Sequence, residues 1–263
     1  MRLYVQVARA TARRMSTYRG ATFAGVVTNT VFGFILAYVL LAVFRERGVI
    51  DGFDAADAVT FTFVAQGLLM VVGIFGRSEQ ADRVRTGEVA MDLSRPYDYQ
   101  AWWAAVAYGN AAFYAVFRGY RRFCSVRWCC RCDCRRTQGC GWAFLLSVAA
   151  AVGITFAYGF MIELSAFWLI DNRGVRQLAW LTAQFMSGTF VPLVLFPDWV
   201  EPTARALPFA AMMQLPVEVF LGKHTGVDLI GVLARQVAWA AVLIAGGRLM
   251  LARAVRKVVV QGG

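Results

Sequence analysis

The chain has 263 residues, 59% of them hydrophobic and 16% charged, with a net charge of +11. Soluble domains carry about 25% charged residues, and no long polar block interrupts this sequence, so a soluble protein and a large extramembrane domain are both excluded. Basic loops facing the cytoplasm and anionic lipid account for the charge, and nucleic acid is not an expected partner.

Residues 1–20 carry Arg2, Arg9, Arg13, Arg14 and Arg19 and no acid. Leu3, Val7 and Ala10 recur at helical spacing, which predicts an amphipathic helix on the cytoplasmic membrane surface. The charge-free run 21–44 is a first membrane span, long enough at the helical rise to cross a hydrocarbon core of about 30 Å. A loop with Asp51, Asp54 and Asp57 leads to a second span at 58–76. Residues 77–98 are a polar loop and 99–117 a third span. A fourth, long span covers 142–170. Residues 171–176 read as a short turn and 177–197 as a charge-free fifth span. Residues 198–228 are Pro-rich and apolar, and 229–251 is the sixth span.

Four of the six prolines, Pro197, Pro202, Pro208 and Pro216, fall among the apolar residues after the fifth span. Irregular backbone at membrane depth is tolerated only where protein or a water-filled cavity surrounds it, so this segment is expected to re-enter the membrane. Lys and Arg cluster in the amino-terminal tail, in 77–98, in 171–176 and in the carboxyl tail. Short basic loops stay cytoplasmic. The expected fold is therefore an all-α membrane protein, one domain over residues 1–263, with six transmembrane helices and both termini cytoplasmic. An amphipathic interface helix precedes the spans, and a Pro-rich re-entrant segment precedes the last one.

Residues 118–141 break this pattern. They should lie outside, yet they hold Arg118, Arg121, Arg122, Arg127, Arg131, Arg135 and Arg136, and all six cysteines: Cys124, Cys129, Cys130, Cys132, Cys134 and Cys140. Zinc binding would use the C-x-x-C spacing of Cys129 and Cys132, but a second such pair is missing. Extracytoplasmic disulfides are a second reading. A shifted reading frame in GC-rich DNA is the third and preferred one, because a shift of two nucleotides can restore an apolar string with one arginine. No metal or cofactor is expected.

Glu163 and Arg235 are the ionisable residues placed deepest in the spans, where such groups are functional candidates. Asn29, Asn110 and Gln184 are expected to join helices by hydrogen bonds. His224, the one histidine, reads as incidental. The sequence lacks H-E-x-x-H, G-x-S-x-G and paired intramembrane aspartates, which argues against an intramembrane enzyme. A non-transporting scaffold or immunity protein is a further alternative.

The loop RTGEVAMDLSRPYDYQ resembles a signature of bacterial type-2 ATP-binding-cassette (ABC) permeases, in which a Gly and a short helix precede Leu-x-Arg-Pro: here Gly87, Leu93, Arg95 and Pro96. AFWLIDNRGV, SGTFVPLVLFPDWVEPTARALPF, PVEVFLG, the Gln236-x-x-Trp239 pair and the terminal VVVQGG are similar to the same family. The resemblance implies the membrane-spanning half of an exporter in the bacterial plasma membrane. It would work beside a second permease, related or identical, and a separate ATPase subunit that binds the ATP. The chain has no G-x-x-x-x-G-K-[ST] loop of its own. The resemblance places energy coupling at Gly87, Leu93, Arg95 and Pro96. It makes the Pro-rich segment an outer lid, with Pro192, Phe196, Pro197, Trp199, Pro208 and Pro216 as gate residues or, for the aromatics, interfacial anchors.

Overall fold

The computed structural model describes residues 2–17, 19–76, 79–119, 138–169 and 171–256, with the side chains at 19, 21, 22, 118, 119 and 138–140 excepted. The three readings of the cysteine-rich stretch fall outside the described residues, as Cys140 does for its side chain.

In chain order the α-helices are α1 (Arg2–Ser16), α2 (Arg19–Arg47), α3 (Ala55–Leu68), α4 (Glu79–Arg85), α5 (Val89–Ser94) and α6 (Tyr99–Tyr114). They continue with α7 (Gln138–Leu164), α8 (Arg173–Met186), α9 (Glu201–Ala206), α10 (Pro208–Met212), α11 (Gln214–Phe220) and α12 (Gly226–Val255). Wide π-helical turns extend α3 over Leu69–Gly73 and α6 over Ala115–Gly119. The described residues contain no β-strand. The protein is an all-α membrane protein. Four stretches are long and apolar enough to cross a bilayer: Phe23–Arg47, Ala55–Gly73, Gly141–Phe167 and Gly226–Val255.

The fifth expected span requires correction. The charge-free run 177–197 is not one membrane-length helix. Its helix, α8, starts earlier, so that Arg173–Arg176 is a first helical turn rather than a loop, and it stops at Met186. Fourteen residues rise about 21 Å, short of the hydrocarbon core. The stop is local chemistry. Gly188 adopts φ +74°, and a Cβ there would overlap Oε1 of Gln214. The Gln214 N–H donates to the Ser187 carbonyl at 3.1 Å, and its Oε1 accepts from the Leu193 N–H at 3.3 Å. A run without charges says nothing about where a helix breaks, and Ser-Gly-Thr followed by Pro192 breaks this one.

The remaining chain from 187 to 222 folds back into the protein as α9, α10 and α11. Every residue from Ala210 to Val219 is buried. Gln236, fully buried in α12, donates to the carbonyls of Ser147 on α7 and Ala211 on α10, at 3.3 and 3.0 Å. It lies ten residues into its helix, about 15 Å along the axis. The irregular backbone is thus enclosed by protein, as backbone at that depth requires.

The two ends of the bundle are sorted by polar contacts. At one end the Asp98 N–H donates to Oη of Tyr4 at 3.2 Å, and Arg248 pairs with Asp98 at 3.2 Å. This draws α1, the loop before α6 and the far end of α12 together. At the other end Asp54 and Asp57 form a capping box at the start of α3, and Lys223 Nζ reaches the Gly52 carbonyl and Asp57. The expected acidic loop is therefore a helix cap.

The amphipathic helix α1 packs along α6. Val7 is buried, and a Cβ on Gly109 would overlap the backbone of Ala8. Glycine at 109 is what lets the two backbones touch. Asn29 bridges α2 to the Gln66 carbonyl of α3 at 3.5 Å, whereas Asn110 turns back to Val106 on its own helix instead of joining two helices. On α2, Phe32 and Tyr38 face outward, as Ile230 and Leu249 do on α12. These are apolar surfaces suited to lipid.

Candidate coupling face and outer segment

Residues 79–94 of the polar stretch fold as two short helices where one was expected. Gly87, between them, has φ +79° and takes a conformation a side chain would strain. Arg95 ends α5 in an extended conformation (φ −76°, ψ 147°), as a residue before proline must. Pro96 then leads to Asp98, whose carboxylate accepts from the Ala101 N–H at 2.7 Å and caps α6.

Asp92 is the hinge of this unit. Its carboxylate is buried and takes Nη1 of Arg83 at 2.7 Å, with Arg95 at 4.0 Å on its other oxygen. The α4–α5 pair is thereby clamped to itself. It is also clamped to the bundle: Leu93 packs on the cluster of Val89, Tyr99, Trp103, Phe160 and Leu164. Glu163, near the end of α7, accepts from the Ala81 N–H of α4 at 3.0 Å. The outer surface of α5 carries Met91, 63% exposed, beside exposed Glu88, Ser94, Arg95 and Pro96. Of the four residues expected for coupling, Leu93 is therefore a half-buried anchor, Gly87 and Arg95 shape the helix ends, and Arg95 and Pro96 reach the surface. Asp92 and Arg83 were not singled out in the sequence. An acid and a base nine residues apart in a polar loop carry no signal until two helices fold them together.

The proposed gate residues divide in the same way. Pro192, Pro208 and Pro216 are buried, with Pro208 in the first turn of α10, where proline's missing N–H costs no hydrogen bond. Phe196 is half-buried and meets Phe185 at 6.0 Å between centroids. Pro197 and Trp199 are exposed, Trp199 by 81%. The structure thus places three gate residues inside the packed segment and two on its surface.

His224 is not incidental. Its Nε2 meets Oε2 of Glu218 at 2.9 Å and its Nδ1 meets Asp228 at 2.5 Å. Glu218 is 2% exposed and also accepts from Arg205 at 2.9 Å and from Gln214 at 2.8 Å on Oε1. Arg205 is held in turn by Glu201 at 2.7 Å. The His224 bond and the Arg205 and Gln214 donors together satisfy the buried Glu218 carboxylate. The bond to Glu218 raises His224 against its burial, with Asp228 adding to it. Every member is bonded, so the cluster fastens α9, α11 and the start of α12 together. Arg235 lies half-buried on α12 and makes no ion pair among the described residues.

Among the described residues, no group of three His, Cys, Asp or Glu side chains could hold a metal ion. The family model for ABC-2 family transporter proteins matches residues 27–262. No curated protein and no solved structure matches the chain. The match runs from the third turn of α2 past the end of α12, so it takes in α4 and α5, the broken α8 and the buried Pro-rich segment as one continuous unit: the chain belongs to the ABC-2 transporter family, as a membrane-spanning permease.

Proposed function

We propose that this permease is one half of the translocation path of an ATP-driven exporter in a bacterial plasma membrane, driven by a separate ATPase subunit. The α4–α5 unit carries this reading. It presents Met91, Ser94, Arg95 and Pro96 outward while Leu93 and Asp92 root it in the bundle. A push on that surface is delivered to the ends of α6 and α7, the elements that Asp98 and Glu163 tie to it.

On this reading α1, α4, α5 and both termini face the cytoplasm. The bundle crosses six times, with α6 and its π extension as the third crossing and α8 with the re-entrant segment as the fifth. The segment 187–222 is the outer lid. Inward-facing and outward-facing states then differ by rocking of packed helices. A second copy or a related permease completes the path. ATP is bound by the partner, because this chain has no phosphate-binding loop.

Co-purification of the ATPase encoded beside this gene, followed by reconstitution, tests the reading. The expected result is substrate-stimulated ATP hydrolysis that Arg95→Glu lowers by about tenfold or more while the complex still assembles, since the substitution reverses a charge on the contact face. Wild-type stimulation in that variant would contradict it.

A further inference from the structure

We propose that Met91, on the outer face of α5, is a reversible oxidation site at which a hydroperoxide switches off docking of the ATPase. Among the described residues Met91 is the one exposed methionine, at 63%. Met15, Met70, Met161, Met186 and Met250 are half-buried, and Met212 and Met213 are fully buried. Between Glu79 and Asp98, Met91 is also the one exposed large hydrophobic side chain. Its neighbours on the surface of the unit are polar. Glu88 and Ser94, three residues before and after it, share its side of the helix and are exposed.

The fold keeps this thioether outside. α5 cannot roll to bury it, because the next residue, Asp92, is turned inward and held by Arg83 at 2.7 Å. Val89 and Leu93 pack on the same side, in the cluster of Tyr99 and Trp103. Ser94 Oγ donates to the Met91 carbonyl at 2.9 Å and steadies the last turn. A single flexible, polarisable thioether is thus presented on a rigid base, as suits a contact surface.

Susceptibility to oxidation follows exposure, because the peroxide must reach the sulfur. The sulfur lone pair attacks the terminal peroxide oxygen, and the S–O bond forms as the O–O bond breaks. The alkoxide that leaves (hydroxide, from hydrogen peroxide) takes the proton from the transferred oxygen. The sulfur has lost two electrons and the peroxide has gained them. The product, methionine sulfoxide, is polar where the thioether was apolar. In an apolar contact its oxygen would be buried without a donor, which disfavours docking. A dithiol-dependent sulfoxide reductase restores the thioether, releasing the oxygen as water and leaving a disulfide. That oxidation releases the ATPase rests on the coupling reading; that Met91 oxidises before the buried methionines does not.

The test uses the full-length permease in detergent, its cysteines first blocked with N-ethylmaleimide. It is treated with hydrogen peroxide, alone and with the ATPase encoded beside its gene already bound, and peptide mass spectrometry reads each methionine. Met91 is expected to gain oxygen at least about tenfold faster than Met212 and Met213, and more slowly once the ATPase is bound. Affinity of the oxidised permease for the ATPase is expected to fall by about tenfold and to return after treatment with methionine sulfoxide reductase. Met91→Leu is compared with itself before and after peroxide, and its affinity is expected not to change. Oxidation of Met212 and Met213 as fast as Met91, undiminished oxidation of Met91 beneath bound ATPase, full affinity in permease oxidised at Met91, or an equal peroxide effect in Met91→Leu would each overturn the proposal. If Met91→Leu fails to fold, loss of affinity that the reductase does not reverse on the native chain overturns it. Failure of the untreated permease to bind the ATPase at all would instead sink the exporter reading and the switch with it, and leave the order of oxidation standing.

Discussion

Single residues set the geometry of the segment after α8. Gly188 fixes where α8 stops, because its φ of +74° and the nearness of Gln214 Oε1 leave no room for a Cβ. Gly188→Ala is expected to destabilise the protein by about 1–3 kcal/mol, read as a lower melting temperature in detergent. Arg205→Ala would remove one of the two cations on the buried Glu218 and leave His224 as the other, at a cost of up to about 3 kcal/mol, and the same melting assay checks it. The Glu218–His224 pair also makes stability depend on pH. His224 is raised in the folded state, so its contribution is whole below about pH 6.5 and is lost as pH climbs through the raised value. Residues 201–222 are therefore expected to be best protected from hydrogen exchange below about pH 6.5 and to loosen on the alkaline side. His224→Gln should abolish the alkaline loosening. An unchanged alkaline profile in that variant would mean that the histidine is not the titrating group.

At the scale of elements, the account turns on short helices that polar clamps hold in place. Asp92→Ala removes the close partner of Arg83 and frees α5 from α4. Coupled transport is expected to fall by about tenfold with insertion unchanged, because a buried charge pair positions the contact face. Transport assays in vesicles, with membrane insertion measured in parallel, check this. Gly109→Leu forces α1 off α6, since the atoms in its way are backbone. Overpacking of this kind costs about 1–3 kcal/mol, and faster proteolysis within residues 2–16 would report it. The elements most legible in the sequence were the long apolar runs of α2, α3, α7 and α12, where length and lack of charge decide the matter. Those least legible were α8 and its sequel. Hydropathy there is continuous from 177 to 197, but the break comes from one glycine conformation and a glutamine 26 residues later, which no local pattern reveals. The short helices α4 and α5 were legible only as a polar loop with a glycine and a proline.

For the whole molecule, charge bookkeeping on the loops anticipated which ends meet. The structure brings the basic amino-terminal helix, the 77–98 segment and the end of α12 together through Tyr4, Asp98 and Arg248. It brings the acidic loop and Lys223 together at the opposite end. The roles of Asp92, His224 and Glu163 were not legible, because Asp92 meets Arg83 across 9 positions, His224 meets Glu218 and Asp228 across 6 and 4, and Glu163 meets Ala81 across 82. Glu163 was picked out only as a carboxylate in an apolar run. Its place in the fold came from the Ala81 N–H of α4, whose hydrogen bond it accepts. The central claim, that the α4–α5 face receives a separate ATPase, is tested most directly by site-specific photo-crosslinking in intact cells. A photoreactive amino acid would replace Met91, and in a second strain Trp199, which is 81% exposed at the other end of the bundle. The account predicts a crosslink from position 91 to the ATPase encoded alongside and none from position 199. A crosslink from 199 with none from 91, or no ATPase captured at 91 in a correctly inserted protein, would contradict it.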